Sequence, residues 1–423
     1  MATGLGGIPA ATVPPIIRDP SGNSLRVGSG PPRDRLGPAH RERDENAPGD
    51  LVTLPLLPIV QPTLPDTERL LEDFRAVLGN PKVTVGRYVK ELEEAVIRLT
   101  GAKHCVAVSS CTAGLMLAVS AFDIGPGDEV ILPPFTWTST GLCVLWRGAT
   151  PVFVDVEPGR FTLDPAAFER AITPRTRAVM PVTVFGVPPE IDAIEAIARR
   201  HGIRVIYDTA QGLGSTYRGR PLGGFGDVEV FSMSPTKVAT SIEGGLLTTN
   251  DAALAETLGR MRDYGKAADG DIDRLGLSAR QSELHAAVGL RSVEALGACV
   301  AARSRLTTQY REGLRGLRGV SFHEVPAHTT TSWNYFTLFL GPEAVSTTQA
   351  VHDALEAQGI QTKRYFYRAL HHQTVFAGVP GVAGLRLPVA DYASASGLAL
   401  PLYSHMGDGD VARVIAAVRG VLA

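Results

Sequence analysis

Between about residues 100 and 250, short runs of uninterrupted apolar residues alternate with helical stretches, and this pattern limits the possible folds most strongly. The runs are Val106–Val108, Val130–Leu132, Val152–Val156, Val179–Phe185, Val205–Tyr207, Val228–Phe231 and Leu246–Thr249. Continuous apolar character suits strands buried on both faces. Between two of these runs Ile191, Ile194 and Ile197 recur at helical spacing, and Arg199-Arg200-His201-Gly202 has the form of a helix C-terminus. Strand, helix, strand implies parallel pairing, so the expected fold is an α/β sheet covered by helices with right-handed crossovers. Such sheets bind ligands at the carboxyl ends of their strands, where Asp208 directly follows Val205-Ile206-Tyr207.

At 423 residues the chain is too long for one small core and has room for two lobes of ordinary size. Residues 1–50 hold eight Pro and eight Gly, no Phe, Tyr or Trp, and a charged run from Arg41 to Glu45. That composition buries too little apolar surface to offset the entropy of ordering, so a disordered extension is expected there. Ordered elements begin near Leu51 with a helix after Asp66-Thr67, whose Leu70, Leu71 and Phe74 fall on one face. The expected division is a large domain over 51–299 and a smaller α+β domain over 300–423. A helix from Ser282 to Leu296 leads into the latter, which carries strand candidates at Tyr335–Leu340 and Leu398–Leu402. No internal repeat occurs at solenoid periods.

Forty-one Lys and Arg stand against 43 Asp and Glu without a basic block, which points away from nucleic acid and from an anionic membrane surface. A small ligand is expected. Cys105, Cys111, Cys143 and Cys299 lack both the close pairing of a zinc site and the density of a disulfide scaffold. No metal is expected, and a reducing cytoplasmic compartment is the simplest setting. No apolar run reaches the roughly 18 to 20 residues of a membrane helix.

Lys237 sits in Phe231-Ser232-Met233-Ser234-Pro235-Thr236-Lys237, is followed by Glu243-Gly244-Gly245, and lies 29 positions after Asp208 of Asp208-Thr209-Ala210-Gln211. An acid, a serine and a lysine so ordered suggest a pyridoxal phosphate (PLP) site. A lysine can hold that cofactor's aldehyde as a Schiff base, a carboxylate can keep its ring nitrogen protonated, and a hydroxyl can bind its phosphate or phenolic edge.

These motifs, with Ser109-Ser110-Cys111-Thr112-Ala113-Gly114, Pro133-Pro134-Phe135-Thr136-Trp137 and Ser282-Glu283-Leu284, resemble the DegT/StrS family of PLP-dependent sugar aminotransferases, from about Leu54 to the C-terminus. The resemblance implies a fold-type I architecture and gives each residue a role. Lys237 matches the lysine that holds the cofactor and shuttles protons; Asp208 matches the carboxylate beside the pyridine nitrogen. Gln211 matches a support for the phenolic oxygen or ring, and Ser232 a cofactor-edge hydroxyl. Thr112 and Ala113 would begin a helix whose N–H groups hold the phosphate; without the resemblance, Thr112 reads as a helix cap. Trp137 aligns with the aromatic that covers the ring, the alternative being a core tryptophan. The family's Asn that reaches the neighbouring subunit's phosphate is here Ser278, a shorter donor or only a linker residue. Cys111 stands where Gly is common, and packing as a small hydrophobe, rather than altered access to the cofactor, is the reading it takes.

Lys363-Arg364-Tyr365-Phe366-Tyr367 with Leu370-His371-His372 resembles the segment before the family's substrate loop, where charge and stacking could meet a nucleotide diphosphate and its base, with a solvated loop the equal alternative for any single residue. The implied activity is transfer of an amino group from an amino acid, L-glutamate by the family's habit, to the keto group of a nucleotide-linked deoxysugar, in a homodimer with a shared active site. Two alternatives stay open: a keto-cyclitol acceptor, and a catalytically silent PLP-binding regulator.

Overall fold

A computed structural model describes residues 55–422, which fall within one compact unit. The extension expected over residues 1–50 lies outside the described residues.

The main sheet has seven strands in the order β1-β9-β8-β5-β4-β2-β3. They are β1 (His104–Val108), β2 (Glu129–Leu132), β3 (Thr150–Phe153), β4 (Thr176–Val179), β5 (Arg204–Asp208), β8 (Val228–Ser232) and β9 (Gly245–Thr249); β6 (Thr216–Tyr217) and β7 (Arg220–Pro221) form a small ribbon between β5 and β8. Every expected run overlaps a strand, though Val179–Phe185 does so only at Val179. Pairing from β3 through β8 is parallel, whereas β9 runs antiparallel to both β8 and β1. The sheet is therefore mixed at one side. The helices that cover it include α1 (Thr67–Leu78), α2 (Arg87–Thr100), α3 (Cys111–Ala121), α4 (Ser139–Trp146), α5 (Pro165–Arg170), α6 (Ile191–His201), α7 (Ala252–Met261) and α8 (Glu283–Glu294). Apolar cores lie on both faces of the sheet, which is why its strands show no alternation.

Several expected boundaries shift for identifiable reasons. The run Val179–Phe185 stops being a strand at Val179, because Pro181 has no N–H to give the ladder; Val182 and Val184 make isolated bridges only. Likewise β3 ends at Phe153, and Val156 bridges to Leu163 instead. In α1 the buried face is Leu70, Asp73 and Val77, while Leu71 is exposed. Asp73 takes that place because its carboxylate accepts from both Arg291 of α8 and the Tyr88 hydroxyl. The α6 helix ends as expected, with Gly202 at φ 66°, a left-handed conformation that costs glycine nothing.

Beyond α8 the chain turns directly into α9 (Leu296–Gly313). A three-stranded antiparallel sheet follows in the order β10 (Val320–Phe322), β12 (Phe336–Leu340) and β13 (Gly397–Leu400), while β11 (Thr329–Thr330) pairs with β6. With α9, α10 (Thr348–Glu356) and α12 (Asp408–Leu422), this sheet encloses a third apolar core, which Leu57 joins. The remaining helix, α11 (Pro388–Ser396), packs its Ala390 and Ala393 into the core on the α3 side of the large sheet, together with Phe339 of β12. No single described helix is long and apolar enough to cross a membrane.

Candidate active site

The carboxyl ends of β5 and β8 and the N-termini of α3 and α4 meet at a cavity of about 380 Å³, within the usual size of a small-ligand site. Asp208 ends β5 inside it and is 4% exposed. Its Oδ2 accepts the Thr140 hydroxyl at 2.6 Å and its Oδ1 accepts the Ala210 N–H at 3.1 Å. The single hydroxyl proton of Thr140 is spent on Asp208, so at the 2.9 Å contact between Thr136 and Thr140 the donor is Thr136. Burial pushes the Asp208 carboxyl up from its ordinary range, against the pull of the Thr140 hydroxyl, the Ala210 N–H and the nearby Lys237 charge. A carboxylate in that position is stabilised by a cationic partner placed against it.

The N-terminus of α3 also lines the cavity, through Ser110, Cys111 and Thr112. Ser110 caps it, its Oγ accepting from Ala113 N at 3.1 Å, so the cap is Ser110, and Thr112 lies inside the first turn. The Thr112 hydroxyl instead pairs with Ser139 Oγ at 2.8 Å, at the start of α4. The N–H groups of Cys111 and Thr112 have no intrahelical acceptor and, with the helix dipole, make an anion-binding end. Gly245 allows this placement: a Cβ there would stand 2.5 Å from the Ser110 carbonyl carbon and 2.6 Å from Cys111 N. Cys111 is buried, and burial together with the Asp208 charge raises its thiol well above the ordinary range, so it stays neutral.

Lys237 rides on the loop between β8 and β9. The loop is closed by Ser241 N donating to Met233 O at 2.9 Å and Met233 N donating to Gly244 O at 3.0 Å, while Lys237 N donates to Ser234 O at 3.0 Å. The Lys237 ammonium lies 5.9 Å from the centre of the Tyr335 ring. Gln211 donates nothing to Asp208; its Oε1 accepts Phe185 N at 2.7 Å, holding a non-glycine residue at φ 55° beside the cavity.

The structure thus brings Lys237, Asp208, Gln211, Ser232, Thr112 and Trp137 to one cavity. Trp137 is 56% exposed, which rules out the core alternative. Ala113 is not among the cavity residues, and its N–H donates to the Ser110 hydroxyl. Ser278 is exposed, bridges to Asp263, and is not among the cavity residues. From the segment before the substrate loop, Lys363, Tyr365 and Phe366 line the cavity. The Lys363 ammonium sits 5.9 Å from the Trp137 ring centre and 5.1 Å from that of Tyr365. Arg364 and Tyr367 instead stack on each other at 3.9 Å.

Sequence reasoning missed Thr140, Ser139 and Tyr335. Helical spacing from Thr136 to Thr140 was the available signal for the first; nothing local marks Tyr335, which enters the site just before β12.

A phosphorylated pyridine aldehyde fits what is present: an amine, a buried carboxylate seeking a cation, an anion-binding helix end and an open aromatic face. Comparison with known proteins agrees. Residues 65–419 match the DegT/DnrJ/EryC1/StrS aminotransferase family. The chain is 35% identical over 370 residues to a UDP-N-acetyl-3-dehydro-alpha-D-glucosamine 3-aminotransferase of Acidithiobacillus ferrooxidans, covering 87% of this chain and 98% of the relative. It is 37% identical over 381 residues to a GDP-perosamine synthase of Caulobacter vibrioides, covering 87% and 99%. A crystal structure of DesI in the presence of its TDP-sugar product is 34% identical and superposes with a TM-score of 0.81 over 86% of this chain and 92% of that one. With its motifs, fold and cavity in agreement along nearly all the described residues, this chain belongs to the DegT/DnrJ/EryC1/StrS aminotransferase family and is a PLP-dependent aminotransferase.

Proposed function

We propose that this aminotransferase moves the amino group of an amino acid, L-glutamate, to the keto carbon of a nucleotide-linked keto-deoxysugar. The observation that carries the residue assignment is the convergence of Lys237 and Asp208 on one cavity with the N-terminus of α3. PLP, when bound, supplies an electron sink for the charge left at the donor's α-carbon. Asp208 would keep the ring nitrogen protonated, held in register by the chain Thr136–Thr140–Asp208. The free N–H groups at Cys111 and Thr112, with the hydroxyls of Thr112 and Ser232, would bind the phosphate, and Ala113 continues that helix start. Trp137 would cover one ring face, and Gln211 would support the ring from its bond to Phe185 N. Lys237 would hold the cofactor covalently, then take the proton from the donor's α-carbon and return one to the product. One water supplies the oxygen with which the donor leaves as a 2-keto acid, and the amine it leaves behind replaces the acceptor's keto oxygen, which departs as water.

A nucleotide sugar is supported by the names of the relatives, which carry UDP, GDP and TDP sugars, and by Lys363 at the cavity between two aromatic rings. That grouping suits a diphosphate with a base beside it. We further read the protein as a cytoplasmic homodimer in which the exposed Ser278 reaches the partner subunit's cofactor phosphate, with the boundary between a large and a small domain near residue 300.

The test is the visible spectrum of the PLP-loaded enzyme before and after L-glutamate, followed by keto-sugar nucleotides as acceptors. Conversion to the pyridoxamine form by glutamate, and product formation with a nucleotide-linked keto sugar but not with a keto-cyclitol, is expected. An unchanged spectrum excludes glutamate as donor, and turnover of the cyclitol alone excludes the sugar.

A further inference from the structure

Just past the cavity segment Lys363–Phe366, a single 3-10 turn, Leu370–His372, sets two adjacent histidines against Asp391 of α11. His371 Nε2 lies 3.0 Å and His372 Nε2 2.7 Å from the same oxygen, Asp391 Oδ1. The two ring centres are 3.9 Å apart, with the ring planes inclined at 40°. The His371 side chain is 0% exposed, yet neither of its ring nitrogens has a hydrogen-bond partner; its approach to Asp391 is short enough but misaligned for an N–H···O bond. Buried imidazoles are as a rule satisfied. His372 holds the Asp391 oxygen by a 2.7 Å hydrogen bond, which leaves the buried His371 beside it without a hydrogen-bond partner among the described residues, so the three groups are better arranged as ligands than as a hydrogen-bond cluster.

We propose that His371, His372 and Asp391 bind one divalent transition-metal ion of the zinc class. Each offers one donor atom, and the three lie within 4.8 Å of one another. Two neutral imidazole nitrogens and a carboxylate oxygen are a donor set that Zn²⁺ accepts at about 2.0 to 2.2 Å. A tetrahedral arrangement at that radius separates donors by roughly 3.3 Å, so Asp391 Oδ1 and the two nitrogens need part by only a few tenths of an ångström. His372 is 49% and Asp391 34% exposed, which leaves the remaining position open to water.

Both supporting elements are already fixed. Asp155 accepts the N–H groups of Val389 and Ala390 at 3.1 and 2.9 Å, pinning the first turn of α11. Leu370 N donates to Pro134 O at 2.9 Å, and Ala369 N donates to Ser394 Oγ at 2.9 Å. The ion then acts as a clasp between the turn and α11, bracing the wall that carries Lys363, Tyr365 and Phe366. Cysteine spacing gave no sign of it, because its ligands are a histidine pair and an acid from a separate helix. The inference does not depend on the identity of the sugar or of the donor.

The test uses the untagged, PLP-loaded full chain, stripped with EDTA, desalted and titrated with Zn²⁺ in a calorimeter, with metal content measured after gel filtration and thermal midpoints recorded with and without Zn²⁺. One Zn²⁺ per chain and a higher midpoint are expected for the wild type. His372→Ala and Asp391→Asn, at half-exposed positions, should remain folded by circular dichroism while losing at least tenfold in affinity and the gain in midpoint. A wild type that retains no zinc, or an affinity unchanged in either folded variant, overturns the proposal.

Discussion

Thr140 Oγ1 donates to Asp208 Oδ2 across 2.6 Å, joining the first turn of α4 to the end of β5 at the floor of the cavity. Thr140 is itself fully buried and receives the Thr136 hydroxyl. Replacing it by Val removes the only side-chain donor to the carboxylate among the described residues. A hydrogen bond to a charged group contributes about 1.5–3 kcal/mol, so Thr140→Val should weaken PLP binding or lower kcat/KM by roughly ten- to 150-fold in all. Thr140→Ser should recover most of it. Cofactor titration with steady-state kinetics checks both.

Lys237 is half-buried at the cavity, so its removal tests chemistry more than folding. Borohydride reduction of the PLP-loaded wild type should leave the cofactor's mass on the peptide containing Lys237. Lys237→Ala should show no such adduct and lose about 10²–10⁴-fold from missing proton transfer alone. Peptide mass spectrometry and single-turnover assays decide it; an adduct on another lysine would displace Lys237 from its role.

Gly245 starts β9 where a methyl group would press on the backbone of Ser110 and Cys111 at 2.5 and 2.6 Å. Backbone cannot swing aside as a side chain can. Gly245→Ala should therefore push back the N-terminus of α3, costing about 1–3 kcal/mol of stability and loosening the phosphate end. The expected reading is a lower thermal midpoint together with a raised PLP dissociation constant.

Glu229 is buried in β8, and burial pushes its carboxyl up to about 7 despite accepting the Gly223 and Phe225 N–H groups and the Thr209 hydroxyl. From the ordinary value of 4.5 up to 7 the folded chain keeps a proton that the unfolded chain has released. Stability from this group is accordingly full below pH 4.5, falls as pH rises to 7, and is flat above, by about 3 kcal/mol in all. Glu229→Gln should abolish that component. His323 acts with the opposite sign, its imidazole held down to about 4 by burial, so the informative quantity is the wild-type-minus-variant difference in denaturation midpoint across pH 4–8.

The sequence determined the elements and the chemistry they carry. Continuous apolar runs announced a sheet buried on both faces, because a residue's transfer free energy does not depend on which neighbour covers it. The position of Asp208 after Val205-Ile206-Tyr207 put it at a strand's carboxyl end, and the Ser232–Lys237 motif supplied its amine. The tertiary structure decided what pairs across distance. That β9 lies antiparallel between β1 and β8 follows from chain path rather than local composition. That Leu71 faces solvent while Asp73 is buried depends on Arg291, 218 residues away. Thr140 beneath Asp208, Tyr335 beside Lys237 and the His371–His372–Asp391 cluster are contacts between separate elements. Their hydrogen-bond directions and ångström-scale separations exist only once the backbone has closed, since a residue's type fixes which bonds it can make and not which partner it meets.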